Sequence, residues 1–217
     1  MFPELLDFFS KVGATLVGAL IAFELEHARR RRADERERIS RMKQALFTLV
    51  EQRQFILNFK KQVLDPKKDD PIRSFTIHAQ NSFQPALKID VDGLGFLLDA
   101  DGELLNRLVN ADLRFRTLNS LIDVRSAVHL RFQETAEANA TQENYDPASG
   151  PITVAELEHL VGRVMSKQLQ EMTDDLYRCA DDALATNRSV FKLVHEHAAG
   201  AFPKEKFFRV EELFEVL

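Results

Sequence analysis

The sequence predicts an all-α protein in which one N-terminal transmembrane helix continues into a cytoplasmic bundle of three to four long helices. Three observations predict this class. Glycine and proline are scarce, with 8 and 7 copies in 217 residues, which favours long helices over short strands joined by turns. Apolar residues recur at helical spacing along most of the chain. An uncharged stretch at residues 12–23 lies just before the run Arg29–Arg32.

The N-terminal segment is predicted to be a transmembrane anchor over residues 1–26. Leu5–Leu25 has roughly the 20 residues that a helix needs to cross a hydrocarbon core of ~30 Å, and it contains Asp7, Lys11 and Glu24. A cleaved signal peptide is disfavoured because its positive charges would precede the apolar run. A helix that lies in the membrane interface is the remaining alternative.

The basic residues after the anchor predict its orientation. Arg29, Arg30, Arg31 and Arg32 follow the apolar stretch, and such clusters mark the cytoplasmic side of a membrane. We therefore expect a single-pass protein of the cell inner membrane, with its N-terminus outside and its C-terminal domain in the cytoplasm. The lipid bilayer is the first expected partner.

Small residues along the anchor predict that copies of the chain associate. Ala14, Gly18 and Ala22 recur every four positions, so they share one face of the helix, where small residues let helix backbones approach closely in lipid. Lys11 is expected either to snorkel to the interface or to face a partner helix or a water-filled path. The second expected partner is therefore the chain itself.

A long amphipathic helix is predicted to continue out of the membrane over residues 27–64. Neither proline nor glycine interrupts residues 19–64, and Asp65-Pro66 ends the helix because a residue before proline avoids the α region. Arg53 and Lys60 occupy two positions of the apolar stripe. The stripe itself has a 3-4 spacing and consists of Ile39, Met42, Leu46, Leu49, Ile56 and Val63.

Residues 65–217 are predicted to complete the bundle as one domain with residues 27–64. An irregular connector, with a short helix at 74–82, leads to a short helix at 94–98 and then to a long helix at 102–139 capped by Asp101. A loop at 140–152 precedes a helix that begins at the capping box of Thr153 and Glu156. That helix is expected to run to about Ala198, and a short amphipathic helix is expected in 204–217.

Composition and motifs exclude several chemistries. Cys179 is the single cysteine, so an internal disulfide and an all-cysteine zinc site are impossible. The net charge of −5 argues against a general nucleic-acid binder. Asp90–Gly93 and Asp99–Glu103 lack the ligand pattern of calcium loops, and His195 and His197 point about 200° apart on a helix. We therefore expect no metal, no cofactor and no small-molecule substrate.

Arg188 and His195 are the candidate catalytic pair. Their spacing is similar to the loose Arg-x(4–6)-His signature of helical HEPN ribonucleases, in which an arginine and a histidine from two protomers face each other. There the arginine stabilises charge at phosphorus and the histidine transfers protons. Arg73 and His78 fit the same spacing. Ser189 follows Arg188, where the family usually has asparagine or another polar residue.

These features together resemble the small membrane-anchored, HEPN-like accessory proteins of type VI-B CRISPR loci. The resemblance covers the architecture of the whole chain, and Arg188 and His195 are its one motif. It implies a pore-forming ring of protomers in prokaryotic antiviral defence, with Ala14, Gly18 and Ala22 at helix contacts and Lys11 near the pore.

Three functions are compatible with the sequence. The one we favour is a self-assembling membrane protein that perturbs or permeabilises the bilayer. The first alternative is a membrane-tethered, HEPN-like RNA-binding protein or ribonuclease, for which RNA would be the partner. The second alternative is a passive scaffold that holds a protein partner at the membrane.

Overall fold

The computed structural model describes the backbone of residues 2–80, 87–142 and 153–207, and the side chains of 17–80, 87–141 and 153–207. Every regular element in these ranges is helical, so the predicted all-α class is confirmed. The α-helices are α1 (Phe2–Phe59), α2 (Arg73–Thr76), α3 (Leu97–Gln142), α4 (Val154–Val161) and α5 (Arg163–Ala201).

Three long helices form the bundle: the second half of α1, together with α3 and α5. Residues 42–49 of α1 share a core cluster with 104–111 of α3 and 190–198 of α5. A second cluster joins the end of α1 to residues 115–122 of α3 and 176–183 of α5. Because the numbering of α5 falls while the other two rise, α5 runs antiparallel to both. The short helix α4 closes the far end against α3 and α5.

The apolar stripe predicted for α1 supplies its part of the core. Met42, Leu46, Leu49 and Ile56 are fully buried. The α-helix ends at Phe59 and continues as a π-helical turn, Lys60–Leu64, and then as a 3-10 turn, Asp65–Lys67. The predicted stop at Asp65-Pro66 was therefore wrong in its reason, because Asp65 stays in the α region, with φ −60° and ψ −39°, and Pro66 is accepted in the first turn of the 3-10 helix. At the stripe position where an apolar residue was expected, Lys60 reaches the edge of the bundle and forms an ion pair with Asp181 of α5.

The start of α3 contains the predicted cap at Asp101. Helical residues begin earlier, at Leu97, but Asp101 itself is extended, with φ −160° and ψ 79°. Its Oδ1 atom accepts a hydrogen bond from the backbone N–H of Leu104 at 3.0 Å, which is the geometry of an N-cap. The predicted short helix at 94–98 corresponds to a 3-10 turn, Asp92–Leu94, and this first part of α3.

The helix predicted to run from the capping box to Ala198 is in fact two helices. The capping box is present, because the Thr153 side chain accepts from Glu156 N–H while the Glu156 side chain accepts from Thr153 N–H. However, Gly162 has φ 82° and ψ 144° and separates α4 from α5. A residue without a Cβ adopts a positive φ at little cost, so the prediction of one continuous helix was wrong at this glycine.

Two other predicted helices differ from the structure or lie outside it. Only one turn, α2, forms in the segment predicted as a helix at 74–82, whose last two residues lie outside the described range. The described part of the tail, residues 204–207, contains a turn and a bend instead of a helix, and 208–217 lie outside the description. The same holds for 143–152 of the predicted loop, whose first residues still belong to α3.

Polar side chains attach the connector to the bundle. Asp112 of α3 is 1% exposed, and its Oδ1 atom accepts from the backbone N–H of Ile89 at 3.1 Å and from the Gln52 side chain at 3.2 Å. Gln52 also donates to the carbonyl of Leu87 at 2.8 Å. The N–H of Ile89 and the carbonyl of Leu87, which lie outside any helix, are thereby paired, as buried backbone polar groups require.

Candidate functional site

The first 37 residues of α1 precede the part of this helix that is buried in the bundle. Every described side chain from 17 to 38 is exposed, and burial begins at Ile39. We call residues 2–38 the arm. At 1.5 Å per residue it is about 55 Å long, and only its last residues, from Arg32 to Arg38, approach the rest of the described structure. It leaves from the end of the bundle where α3 begins and α5 ends, because α1 runs parallel to α3.

The arm exposes large apolar side chains to its surroundings. Val17, Leu20, Ile21, Phe23 and Leu25 are between 56% and 66% exposed. Scattered single apolar residues are ordinary on a protein surface, but a contiguous apolar patch marks a site of interaction. The apolar stretch of the arm is therefore the candidate functional site.

The small-residue face lies within this apolar stretch. Gly18 has open space around it, since no atom lies within 4 Å of where a Cβ would be. Ala14 and Ala22 lie one turn before and after it on the same face of α1, and Lys11 lies two turns before. Leu20 and Phe23 project from the opposite side of the helix.

The predicted orienting residues follow the apolar stretch on the arm. Arg29, Arg30, Arg31 and Arg32 are all exposed, and Arg30 donates to Glu26 at 2.9 Å. Among the helices whose residues are described, none is both long and apolar enough to cross a membrane.

A ring of contacts holds the arm where it joins the bundle. Arg41 donates to Asp90 at 2.7 Å, and the guanidinium of Arg38 lies 5.6 Å from the centre of the Phe96 ring. Lys43 forms an ion pair with Glu205 at 2.8 Å. Both the connector and the chain after α5 therefore contact α1 where the arm joins the bundle.

The candidate catalytic pair lies on α5, in the bundle, whereas the apolar stretch lies on the arm. Arg188 is exposed, whereas His195 is half-buried and stacks on Phe191, with the ring centres 6.3 Å apart. Seven residues separate the pair, a rise of about 10.5 Å along the helix. Arg188 lies close enough to Arg53 of α1 to lower the pKa of that guanidinium, after the larger effect of burial. A meeting of Arg188 and His195 across a dimer stays a prediction.

Arg73 and His78, the second pair that fits the Arg-x(4–6)-His spacing, contact different residues. Arg73 donates to Asp174 at 2.8 Å and lies over the ring of Tyr177. His78 instead approaches the ring of His129 edge-on. The two side chains thus take part in different contacts.

A buried basic site was missed in the sequence. Arg125 of α3 is 1% exposed, and it donates to the carbonyls of Ser74 and Ile77 at 3.0 and 2.8 Å. Its Nε–H also donates to the hydroxyl of Thr173 at 2.9 Å. Burial lowers the pKa of Arg125 to about 10. This guanidinium therefore joins three segments of the chain through neutral acceptors.

His129 lies one turn after Arg125 and is 1% exposed. Neither of its ring nitrogens has a hydrogen-bond partner among the described residues. Its ring stacks on Phe132 and meets His78 edge-on. Burial, and then the charges of Arg125 and His78, lower the pKa of His129 to about 4. A neutral imidazole is the form that this position accepts.

The acidic residues that resemble calcium loops serve as helix caps and ion-pair partners. Asp90 accepts from Arg41 and from Gly93 N–H, and Asp101 caps α3. Within the described residues, no group of three or more histidine, cysteine or acidic side chains could hold a metal ion. Cys179 packs against the second core cluster, and burial, with help from Asp175, raises the pKa of its thiol.

Similarity to known proteins does not define a family for this chain. No protein-family model, curated protein or solved structure matches it. The resemblance to the accessory proteins of type VI-B CRISPR loci rests on architecture and on Arg188 and His195, and it stays a prediction.

Proposed function

We propose that the chain is a membrane-anchored protein whose arm enters the bilayer and associates with the arms of other copies, so that the assembly permeabilises the membrane. The observation that carries this proposal is the exposed apolar stretch, which no part of the described bundle covers. Lipid is the environment that covers such a surface without requiring an internal partner.

The charge that follows the apolar stretch supports the same proposal. Arg29–Arg32 lie at least four residues beyond Leu25, about 6 Å along the helix, which is headgroup depth when Leu5–Leu25 occupies the hydrocarbon core. Arginines attract the anionic lipids of the cytoplasmic leaflet. The bundle then lies on the cytoplasmic side, with its axis continuing that of the arm.

Association of copies explains how a weakly apolar arm is accommodated. Lys11 and the open face at Gly18 lie on one side of the arm, where a neighbouring arm shields them from lipid. Charged residues within membranes usually face a bundle interior or a water-filled cavity. A cluster of arms with Lys11 inward has a polar centre, which is the physical basis of the proposed permeability.

Topology is tested with thiol labelling of the full chain in sealed vesicles. Both reporters are placed in a Cys179→Ser background, because the native thiol is half-buried: Ser189→Cys, at an exposed position of α5, reports on the bundle, and Pro3→Cys reports on the tip of the arm. A crossing arm places these two thiols on opposite sides of the bilayer, so an impermeant maleimide labels only one of them. Labelling of both from the same side indicates an interfacial arm and contradicts the proposed crossing.

Gly18→Leu is expected to weaken assembly while membrane binding is kept. The added side chain fills the open space at Gly18 and separates neighbouring helices, so the dissociation constant for self-association should rise by about tenfold. The readouts are oligomer mass in detergent and dye release from vesicles. Ala19→Leu places the same side chain one position along, outside the small-residue face, and should behave like the unaltered protein. Equal mass and dye release for both variants would contradict association through this face.

A further inference from the structure

One side of α1 stays exposed after the helix enters the bundle. Between residues 39 and 59, the exposed positions recur at intervals of three, four or seven residues, so they share one side of the helix. We call this side the α1 face, and it consists of Ser40, Gln44, Phe47, Gln54 and Asn58. Phe47, at its centre, is 51% exposed. Half of a large aromatic side chain therefore lies uncovered in the middle of this face.

The α1 face carries no charge, in contrast to the exposed side of α5. None of the residues that form it is ionisable, whereas the exposed positions of α5 include Asp174 and Lys192. Glu51 lies among the residues of the α1 face but is half-buried. Lys43, at its edge, pairs with Glu205 at 2.8 Å. An aromatic residue surrounded by uncharged side chains is typical of the centre of a protein–protein interface.

The chemistry of the α1 face favours a second copy of the chain as its partner. Because a side-chain amide has both donors and acceptors, Gln44, Gln54 and Asn58 can each pair with the same residue of another copy. Phe47 can pack against the same ring of that copy, since aromatic rings attract one another in offset or edge-to-face arrangements. Identical residues meet in this way when two α1 helices run in parallel. A charged face would repel its own copy, and the α1 face avoids that cost.

The α1 face lies on the same side of the helix as the small-residue face of the arm. Phe47 follows Gly18 by 29 residues, which is about eight turns of an α-helix. Two helices whose axes are about 8 Å apart at Gly18 and cross at about 10° are still only about 11 Å apart at Phe47. A glycine at the closer contact and a phenylalanine at the wider one suit this opening. The helices α3 and α5 pack on the other side of α1, so they leave the α1 face accessible.

We propose that the α1 face binds the α1 face of a second copy, with the two helices in parallel, an inference that rests on the self-association in the proposed function. The face is about 27 Å long and about 10 Å wide, which is smaller than the ~800 Å² that each partner buries in a stable interface. It therefore acts together with the contact between the arms. Its loss weakens assembly without abolishing it.

The test compares Phe47→Glu with Leu113→Glu in the full chain in a neutral detergent. The two side chains are 51% and 52% exposed, and Leu113 lies on α3, outside the α1 face. Phe47→Glu places a charge opposite its own copy, so the dissociation constant for self-association should rise by about tenfold. Leu113→Glu should assemble like the unaltered protein. Sedimentation at a series of protein concentrations measures the constants, and circular dichroism gives the thermal midpoint of each variant.

Cross-linking gives a second readout that leaves Phe47 in place. Ser40→Cys and Ser120→Cys are each made in a Cys179→Ser background, and both serines are exposed, the first on the α1 face and the second on α3. A short bis-maleimide should join two copies through position 40. It should leave the chains with the thiol at position 120 unjoined.

Three results would overturn the proposed contact. The first is an unchanged dissociation constant for Phe47→Glu, and a lowered thermal midpoint in that case would show that another part of the chain covers Phe47. The second is an equal loss of assembly for Leu113→Glu, and the third is equal cross-linking of the two cysteine variants.

Gly18→Leu tests the contact between the arms separately. If Gly18→Leu weakens assembly and Phe47→Glu does not, the contact through the α1 face is refuted and the contact between the arms is left in place. If only Phe47→Glu weakens assembly, the α1 face binds a second copy and association through the arm is refuted.

Discussion

Arg125→Ala is expected to lower the free energy of unfolding by about 4 kcal/mol. The change leaves the carbonyls of Ser74 and Ile77 and the hydroxyl of Thr173 without their buried donor, and it opens a cavity between α3 and α5. Each unsatisfied buried group costs about 1–3 kcal/mol, and a large-to-alanine change in a core typically costs about 2–5 kcal/mol. Denaturant unfolding of the full chain in detergent, followed by circular dichroism, measures the loss.

Two further variants make the result specific to the guanidinium. Arg131→Ala removes an exposed arginine from the same helix and should change stability by no more than about 0.5 kcal/mol. Arg125→Lys keeps the charge but replaces the planar guanidinium with one ammonium group, so its loss of unfolding free energy should fall between those of Arg125→Ala and Arg131→Ala. A loss below about 1 kcal/mol for Arg125→Ala would show that the buried contacts do not hold the connector to the bundle.

His129 is expected to make the bundle sensitive to acid. Its pKa in the fold is about 4, below the ordinary value of 6.5, so the unfolded chain takes up a proton at a higher pH than the folded chain. Its contribution to stability is therefore complete above about pH 6.5 and is lost as the pH falls toward 4. The full difference corresponds to about 3 kcal/mol. Unfolding free energies at a series of pH values measure it.

His129→Leu isolates this effect from the titration of carboxylates. The variant places an apolar side chain against Phe132 and removes two buried nitrogens that have no described partner, so at pH 7 it should be at least as stable as the unaltered protein. The stability difference between the two proteins should then grow in favour of the leucine variant between pH 6.5 and 4.5. A constant difference across this interval would rule out proton uptake by His129 as the cause.

Much of the bundle could be predicted from local patterns. The cap at Asp101 and the box of Thr153 and Glu156 each depend on residues within one or two turns, and each is present in the structure. The apolar stripe of α1 could likewise be predicted from residue spacing alone. The break at Gly162 carried a local signal too, since glycine is a poor residue for a helix interior, but the apolar spacing on both sides favoured continuity.

The buried basic site shows where local patterns fail. Arg125 lies seven residues after Leu118 and seven before Phe132, both buried, so it occupies a core position of α3. That register was readable in the sequence as a charged residue on an apolar face. Its acceptors, however, come from the connector and from α5, about 50 residues away on either side. No spacing rule reveals such distant partners.

Each copy of the chain is narrow at the arm and wide at the bundle, like a wedge. The arm is one helix thick, whereas the bundle packs three long helices around a shared core, at interaxial distances of about 8–10 Å. If arms packed against one another at Gly18, their bundles would collide unless each bundle leaned away from the centre of the assembly. Phe47 is 51% exposed on the part of α1 that belongs to the bundle. One side of α1 is therefore on the bundle surface, and this side could face the centre of the assembly. In the proposed assembly, the width of the bundles would limit how many copies fit around one centre, and their crowding would limit the size of the opening between the arms.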